Sequence, residues 1–285
     1  MKNLITLALG LLLVSSLSAQ QYFVMKVTGS PTLAGKPLAK GMKLTPDDKV
    51  VFSAKSEMVA LIQPGKGRVN LMAEQQQPNS QGEFVALLKD ALRPPKDIKM
   101  SGTRAGEKVT TVADLVKIIS AGGGAGSPQK LLVIDKLELE IAIPEFAMGP
   151  QRFFFLSFNY QGRPARQKLQ PEGNKLVLSE QILYVNNSRL DPADLTDMKL
   201  HFAEILPGNQ TKITDIGGMN LVFASKAEVV AELKTIQQAY PEADFNEMFT
   251  GHAYSYLKEF YGEPYKPELR EVLEQELGLK ALASD

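Results

Sequence analysis

The sequence predicts a mainly β protein: two β-sandwich or barrel-like domains, a helical connector between them and a helical C-terminal segment. Three observations lead there. Short apolar stretches of strand length, separated by Gly and Pro turns, fill residues 22–72 and resume over 131–224. A glycine-rich run, Gly122-Gly123-Gly124-Ala125-Gly126, lies between the two stretches. After Ala224 the apolar spacing changes from alternation to intervals of three and four residues, the helical period.

Residues 1–19 read as an export signal. Lys2 supplies a positive n-region, Leu4–Val14 an apolar h-region and Ser15–Ala19 a small, weakly polar c-region. Cleavage after Ala19 leaves Gln20 at the mature end. Leu17 is larger than ideal at the minus-three position, so cleavage after Ser18 is the alternative. The apolar run is shorter than the ~20 residues that span a bilayer. No Cys follows to carry a lipid, and no later segment is apolar enough to cross a membrane.

Residues 20–73 form the first expected β-domain. Tyr22–Thr28, Val50–Ser53, Met58–Gln63 and Arg68–Met72 have strand character, and Gly29-Ser30-Pro31 and Pro64-Gly65-Lys66-Gly67 are turns. The chain runs through Val27 and Gly29, then Gly35, Leu38, Gly41 and Leu44, then Asp47-Asp48. Val50–Ser53, Val59–Ile62, Gly65 and Val69–Leu71 follow. This order resembles the FecR-type periplasmic domain. The resemblance implies a β-fold and the habit of contacting another envelope protein. Only Met1-Lys2-Asn3 precede the apolar run, so it does not imply the sigma-factor control of FecR-type sensors.

Residues 74–130 read as a mixed connector. Phe84–Leu92 has a short helical pattern ended by Pro94-Pro95. Thr111–Ile119 is the stronger helix, with Thr111 as N-cap, Asp114 in the first turn and Val112, Leu115, Val116 and Ile119 on one side. The glycine run then reads as a linker.

Residues 131–224 form the second expected β-domain, with strands over Leu131–Val133, Leu137–Ile143, Arg152–Tyr160, Lys175–Leu178, Gln181–Asn186, Lys199–Ile205, Thr211–Ile213 and Asn220–Phe223. In Arg152–Tyr160, Phe153, Phe155 and Ser157 share one parity and Phe154, Leu156 and Phe158 the other, so the strand is expected to be buried on both sides. His201 shares parity with Lys199 and belongs to the polar side of its strand. Residues 225–285 read as helices: Lys226–Ala239 capped by Ser225, a second after Pro241, and Glu268–Leu277 opened by Pro267 and ended by Gly278.

The residue inventory narrows the chemistry. Lys and Arg total 32 and Asp and Glu total 32, so there is none of the basic excess expected of a nucleic-acid binder. The absence of Cys removes thiol nucleophiles and Cys-ligated metals; two His, His201 and His252, are too few for a multi-His metal site within one chain. The glycine run lacks the Gly-Lys-Ser/Thr continuation of a phosphate loop, and no Gly-x-Ser-x-Gly occurs. His252, with Glu247 and Glu259 nearby in sequence, is a candidate general base, but a helix residue is the simpler reading. Glu138 with Glu140, and Glu271 with Glu274 and Glu276, are candidate carboxylate pairs that read more simply as solvated sides of a strand and a helix. Asp47-Asp48 lacks the spaced oxygen ligands of a calcium loop.

The expectation is therefore no catalytic, cofactor-binding or metal-binding residue and no cofactor. Phe153, Phe155, Tyr254, Tyr256 and Tyr261 are the candidate interaction surface, because aromatic side chains anchor interfaces. The function expected is that of an exported, non-enzymatic protein-interaction or envelope-assembly module whose partner is another envelope protein. The alternative is a periplasmic ligand-binding or sensor protein for a polysaccharide or small molecule.

Overall fold

The structure is a computed structural model that describes residues 21–45, 48–64, 67–73, 108–123, 128–185 and 188–280. The expected export signal, Asp47, Gly65, Lys66, the expected helix Phe84–Leu92 and residues 124–127 of the glycine run lie outside the described residues. The fold is mainly β with a few helices. Its described residues fall into two compact units, one over 21–73 with 234–242, the other over 108–233 with 243–280.

In the first unit, β1 (Tyr22–Thr28), β2 (Lys43–Leu44), β3 (Met58–Gln63) and β4 (Gly67–Met72) form an antiparallel sheet in the order β2-β1-β3-β4. Tyr22, Val24, Leu44, Val59, Leu61, Val69 and Leu71 project from it into one cluster. At ~25 cal/mol per Å² of apolar surface removed from water, such a cluster is the unit's main stabilising term. A small second sheet pairs Thr32–Leu33 with Lys36–Pro37 and Val50–Val51.

One carboxylate ties this unit's loops together. Glu57 is 5% exposed. It accepts hydrogen bonds from the Ser30 N–H at 2.9 Å, the Ser53 N–H at 2.7 Å and the Ser53 hydroxyl at 2.8 Å. These donors favour the charged form and hold its pKa at about 2, below its ordinary 4.5. Gly29 makes the approach possible. Its φ is +83°, and a Cβ at that position would overlap Glu57 Cγ.

The second unit is built on the antiparallel sheet β8-β7-β10-β11: β7 (Arg152–Tyr160), β8 (Arg163–Lys168), β10 (Leu195–Leu206) and β11 (Gln210–Gly218). β5 (Lys130–Ile134) is flanked in parallel by β12 (Asn220–Ala224) and β13 (Glu263–Pro264), while β6 (Lys136–Glu140) pairs with β9 (Lys175–Ser179). Helix α1 (Val112–Ile119) packs on β11. Its Thr111 hydroxyl accepts the Asp114 N–H at 3.1 Å, a cap worth ~1 kcal/mol, and Leu115 and Ile119 are buried. Leu139, Phe146, Phe154, Leu156, Phe158, Leu200, Phe202 and Ile216 belong to the same core.

The C-terminal part is helical: α2 (Lys226–Ala239), a π-helix over Glu247–Ala253, α3 (Tyr254–Phe260) and α4 (Lys266–Glu276). Ser225 caps α2 by accepting the Glu228 N–H at 3.2 Å, while Asp135 accepts the Lys226 N–H at 2.8 Å. Gly262, at φ +125°, lets β13 lie directly against the Lys130 backbone.

Three local expectations are corrected. Gln181–Asn186 is not one strand: Glu180–Leu183 forms a 3-10 turn before Tyr184–Val185. Gly162-Arg163-Pro164, whose Gly and Pro predict a turn, is a turn only at its start, since Arg163–Lys168 is the edge strand β8. β7 is not buried on both sides, since Phe153 and Ser157 are only half-buried.

Because Glu57 has a depressed pKa in the folded unit, its contribution is complete above its ordinary 4.5 and is lost as pH falls toward about 2. Thermal unfolding of Glu57→Gln should show a lower Tm than the wild type at neutral pH. The gap should narrow steadily as the pH is taken from about 4.5 to about 2.

Candidate functional site

The two sides of β7 differ in character. Phe154, Leu156 and Phe158 enter the core. Phe153, Phe155 and Ser157 point the other way, beside Arg166 and Lys168 from β8, Lys199 and His201 from β10, and Ile213 and Asp215 from β11. Arg166, Lys168, Lys199, Ile213 and Asp215 are exposed, so this side of the sheet meets solvent.

Phe155 is nevertheless only 7% exposed. His201 stacks on its ring at 4.9 Å with the planes 19° apart, and the Arg166 guanidinium lies 5.9 Å from its centroid. The Lys168 ammonium sits 4.2 Å above Phe153. The charged ends of the long basic side chains therefore lie over the aromatic surface and face solvent above it.

His201 also meets Ser157: Oγ lies 2.7 Å from Nε2. On the other side of the ring, Asp215 Oδ1 is 3.8 Å from Nδ1, too far for a hydrogen bond. Burial lowers the His201 pKa from its ordinary 6.5; Asp215 pulls it up, while Lys199 and Arg166 push it down. The ring is thus neutral at pH 7. Register shifts flank the pair, between Ser157 and Asn159 opposite β10 and between Leu200 and His201 opposite β11. At the first, Asp197 takes a φ of +53° and accepts the Asn159 side-chain N–H at 2.9 Å. Such bulges re-aim side chains locally.

Serine, histidine and aspartate in this order suggest a nucleophile, a base and an orienting acid. The sheet argues for another use. Ser157 sits on a central strand whose backbone groups are shared between β8 and β10, and acyl transfer needs free donors aimed at a developing oxyanion. The exposed Asp215 also does not fix the imidazole tautomer.

A cleft of about 630 Å³ lies elsewhere in this unit, lined by Asp135, Glu138, Lys175, Lys226, Glu268 and Glu271 among others. Burial, with Glu271 and Asp135 adding to it, lifts the Glu268 pKa to about 8, although the carboxylate interacts with the Ile134 backbone. Most of the remaining charge is paired. Glu138 lies between Lys136 at 2.5 Å and Lys175 at 2.6 Å, and Lys226 reaches Glu276 at 2.8 Å.

The candidate surface residues are dispersed. Phe153 and Phe155 belong to the sheet side just described. Tyr256 is 0% and Tyr254 4% exposed, so both are core residues and neither offers a surface. The Tyr254 hydroxyl donates to Glu263 and the half-buried Tyr261 to Glu232 at 2.8 Å; burial and these carboxylates raise both phenol pKa values. His252 is half-buried on the π-helix. Glu140 pairs with Lys108 at 2.9 Å, and Asp48 closes a turn by accepting the Thr45 N–H at 2.6 Å. Among the described residues, no group of His, Asp and Glu is arranged to hold a metal ion, and no helix is long and apolar enough to cross a membrane. The sequence does not single out Ser157, His201, Arg166 and Lys199 as a site; the signals it carries are the parity of Ser157 with Phe153 and Phe155 and of His201 with Lys199.

In an NMR titration His201 should show a midpoint below 6.5. Asp215→Asn should lower it further, because it removes the carboxylate that favours the imidazolium, and Lys199→Ala should raise it. No family model, curated protein or solved structure matches the chain.

Proposed function

We propose that the chain is an exported module of the cell envelope that works by holding a protein partner, with the solvent side of the sheet β8-β7-β10-β11 as its contact surface. The carrying observation is the concentration of Phe153, His201 and Ile213 on that side, with Phe155 buried beneath them and Arg166, Lys168 and Lys199 around the rim. Aromatic and Arg side chains supply most of the energy at protein interfaces. Ile213 is 47% exposed and adds apolar surface beside them.

Export rests on the charged, apolar and small-residue regions of residues 1–19. The reading of the N-terminal unit as FecR-like rests on the order of its turns and apolar positions from Val27 to Leu71. The cleft containing Glu268 favours a second reading, a receptor for a small ligand. It stands behind the first because most of the carboxylates lining the cleft already serve as helix caps or ion-pair partners.

The test is site-specific photocrosslinking in intact cells. A photoreactive residue at Ile213 should give one discrete adduct with an envelope protein, and the same residue at Tyr184, an exposed site off this sheet, should not. Equal labelling at both positions, or none at Ile213, contradicts the reading.

A further inference from the structure

The cations around Ser157 are handled differently from six others in their unit, and in the way of Arg152 and Arg270, which also lie over phenyl rings with a carboxylate no closer than 3.8 Å. Lys108, Lys136, Lys175, Arg189, Lys226 and Lys258 each lie within 3.2 Å of a carboxylate oxygen. Arg166 and Lys168 have no carboxylate at ion-pair distance among the described residues and lie over phenyl rings instead. Lys199 has only Asp215, at 3.9 Å. In a chain of zero formal net charge, this is a local positive excess.

The register gives that excess a focus. Arg166 and Lys199 are the residues directly opposite Ser157 on the two neighbouring strands. Directly opposed residues have Cβ atoms about 5 Å apart on the same side of a sheet, so the two basic side chains start on either side of Ser157, within reach of a group seated on its hydroxyl. We propose that Ser157, Arg166, Lys199 and His201 form a carboxylate-binding site for an acidic segment of a protein partner. This deepens the reading of the same sheet surface as a contact surface and rests on it. The seated carboxylate accepts from Arg166 and Lys199 and from the Ser157 hydroxyl. In that state His201 takes the tautomer with the proton on Nε2 and donates to Ser157 Oγ, 2.7 Å away. Asp215, beside Lys199 and His201, sets a limit on how far the acidic segment extends toward β11.

The aromatic geometry favours a protein over a sugar polymer. Sugar rings stack on open aromatic faces. Here one face of Phe155 is taken by His201, and Phe153 is roofed by Lys168. The apolar surface left beside the cations includes Ile213, which suits aliphatic side chains on either side of an acidic residue. The edge strand β8 carries Pro164, Arg166 and Lys168, which oppose addition of a further strand and leave the side of the sheet as the docking route.

Fluorescence anisotropy with a labelled alternating Glu–Val peptide tests this on the full mature chain. The peptide should bind at low salt and weaken as salt rises. Arg166→Glu and Lys199→Glu should each weaken binding about tenfold or more, and the double variant should instead capture a Lys–Val peptide. Unchanged thermal unfolding would show that each variant is folded; if one is not, Arg166→Gln and Lys199→Gln replace it with the same expectation at smaller size. Binding that survives both substitutions overturns the proposal. So does binding of polygalacturonate or a single-stranded oligonucleotide in place of the peptide. A discrete crosslink from Ile213 together with an inert Glu–Val peptide would leave the contact surface standing and refute only its acidic specificity.

Discussion

The second unit depends on a single constraint, the two-residue period of β7. Successive side chains of an extended strand point to opposite sides. One parity delivers Phe154, Leu156 and Phe158 to the core, where Phe154 packs edge-on against Phe202 at 5.0 Å and Phe146 at 5.8 Å. The other parity must then project Phe153, Phe155 and Ser157 outward. A slip of one residue would exchange the two sets, so the core and the outer surface are specified together. The outer surface is a consequence of the core register and not an independent addition.

That surface differs from the paired strands β6 and β9 in how its charges are left. Across β6 and β9 the sheet alternates Lys136, Glu138 and Lys175 into short ion pairs that neutralise one another. Exposed pairs of this kind add little stability, about 0–1 kcal/mol, but they cancel local charge. On β8 the cations are spent on aromatic rings, and their charge is left available. Burial keeps His201 neutral beneath them, which avoids a further like charge at pH 7.

Much of this was legible in the sequence where local chemistry decides structure. The limits of β1 and β7, the Thr111 cap and the Pro267 opening of the last helix follow from spacing and turn residues alone. β8 was not legible, because an edge strand bearing Arg163, Pro164, Arg166 and Lys168 shows almost no apolar alternation. The parallel pairing of β5 with β12 and β13 joins segments far apart in the chain, which periodicity does not report. The same holds for Ser157 and His201: 44 residues separate them, and only the strand register sets them at hydrogen-bond distance. Tyr254 and Tyr256 misled for another reason. An amphipathic ring suits an interface and an interior equally, and here both rings are interior.

The most direct test of this two-sided account is urea unfolding of two single variants of the same strand. Phe154→Ala should cost ~3–5 kcal/mol, as expected for a large ring removed from a packed core. Phe153→Ala should cost less than ~1.5 kcal/mol, because that ring is half-buried, beneath the Lys168 ammonium. Equal losses at the two positions would mean that both sides of β7 are packed interior, and the contact surface described here would not exist.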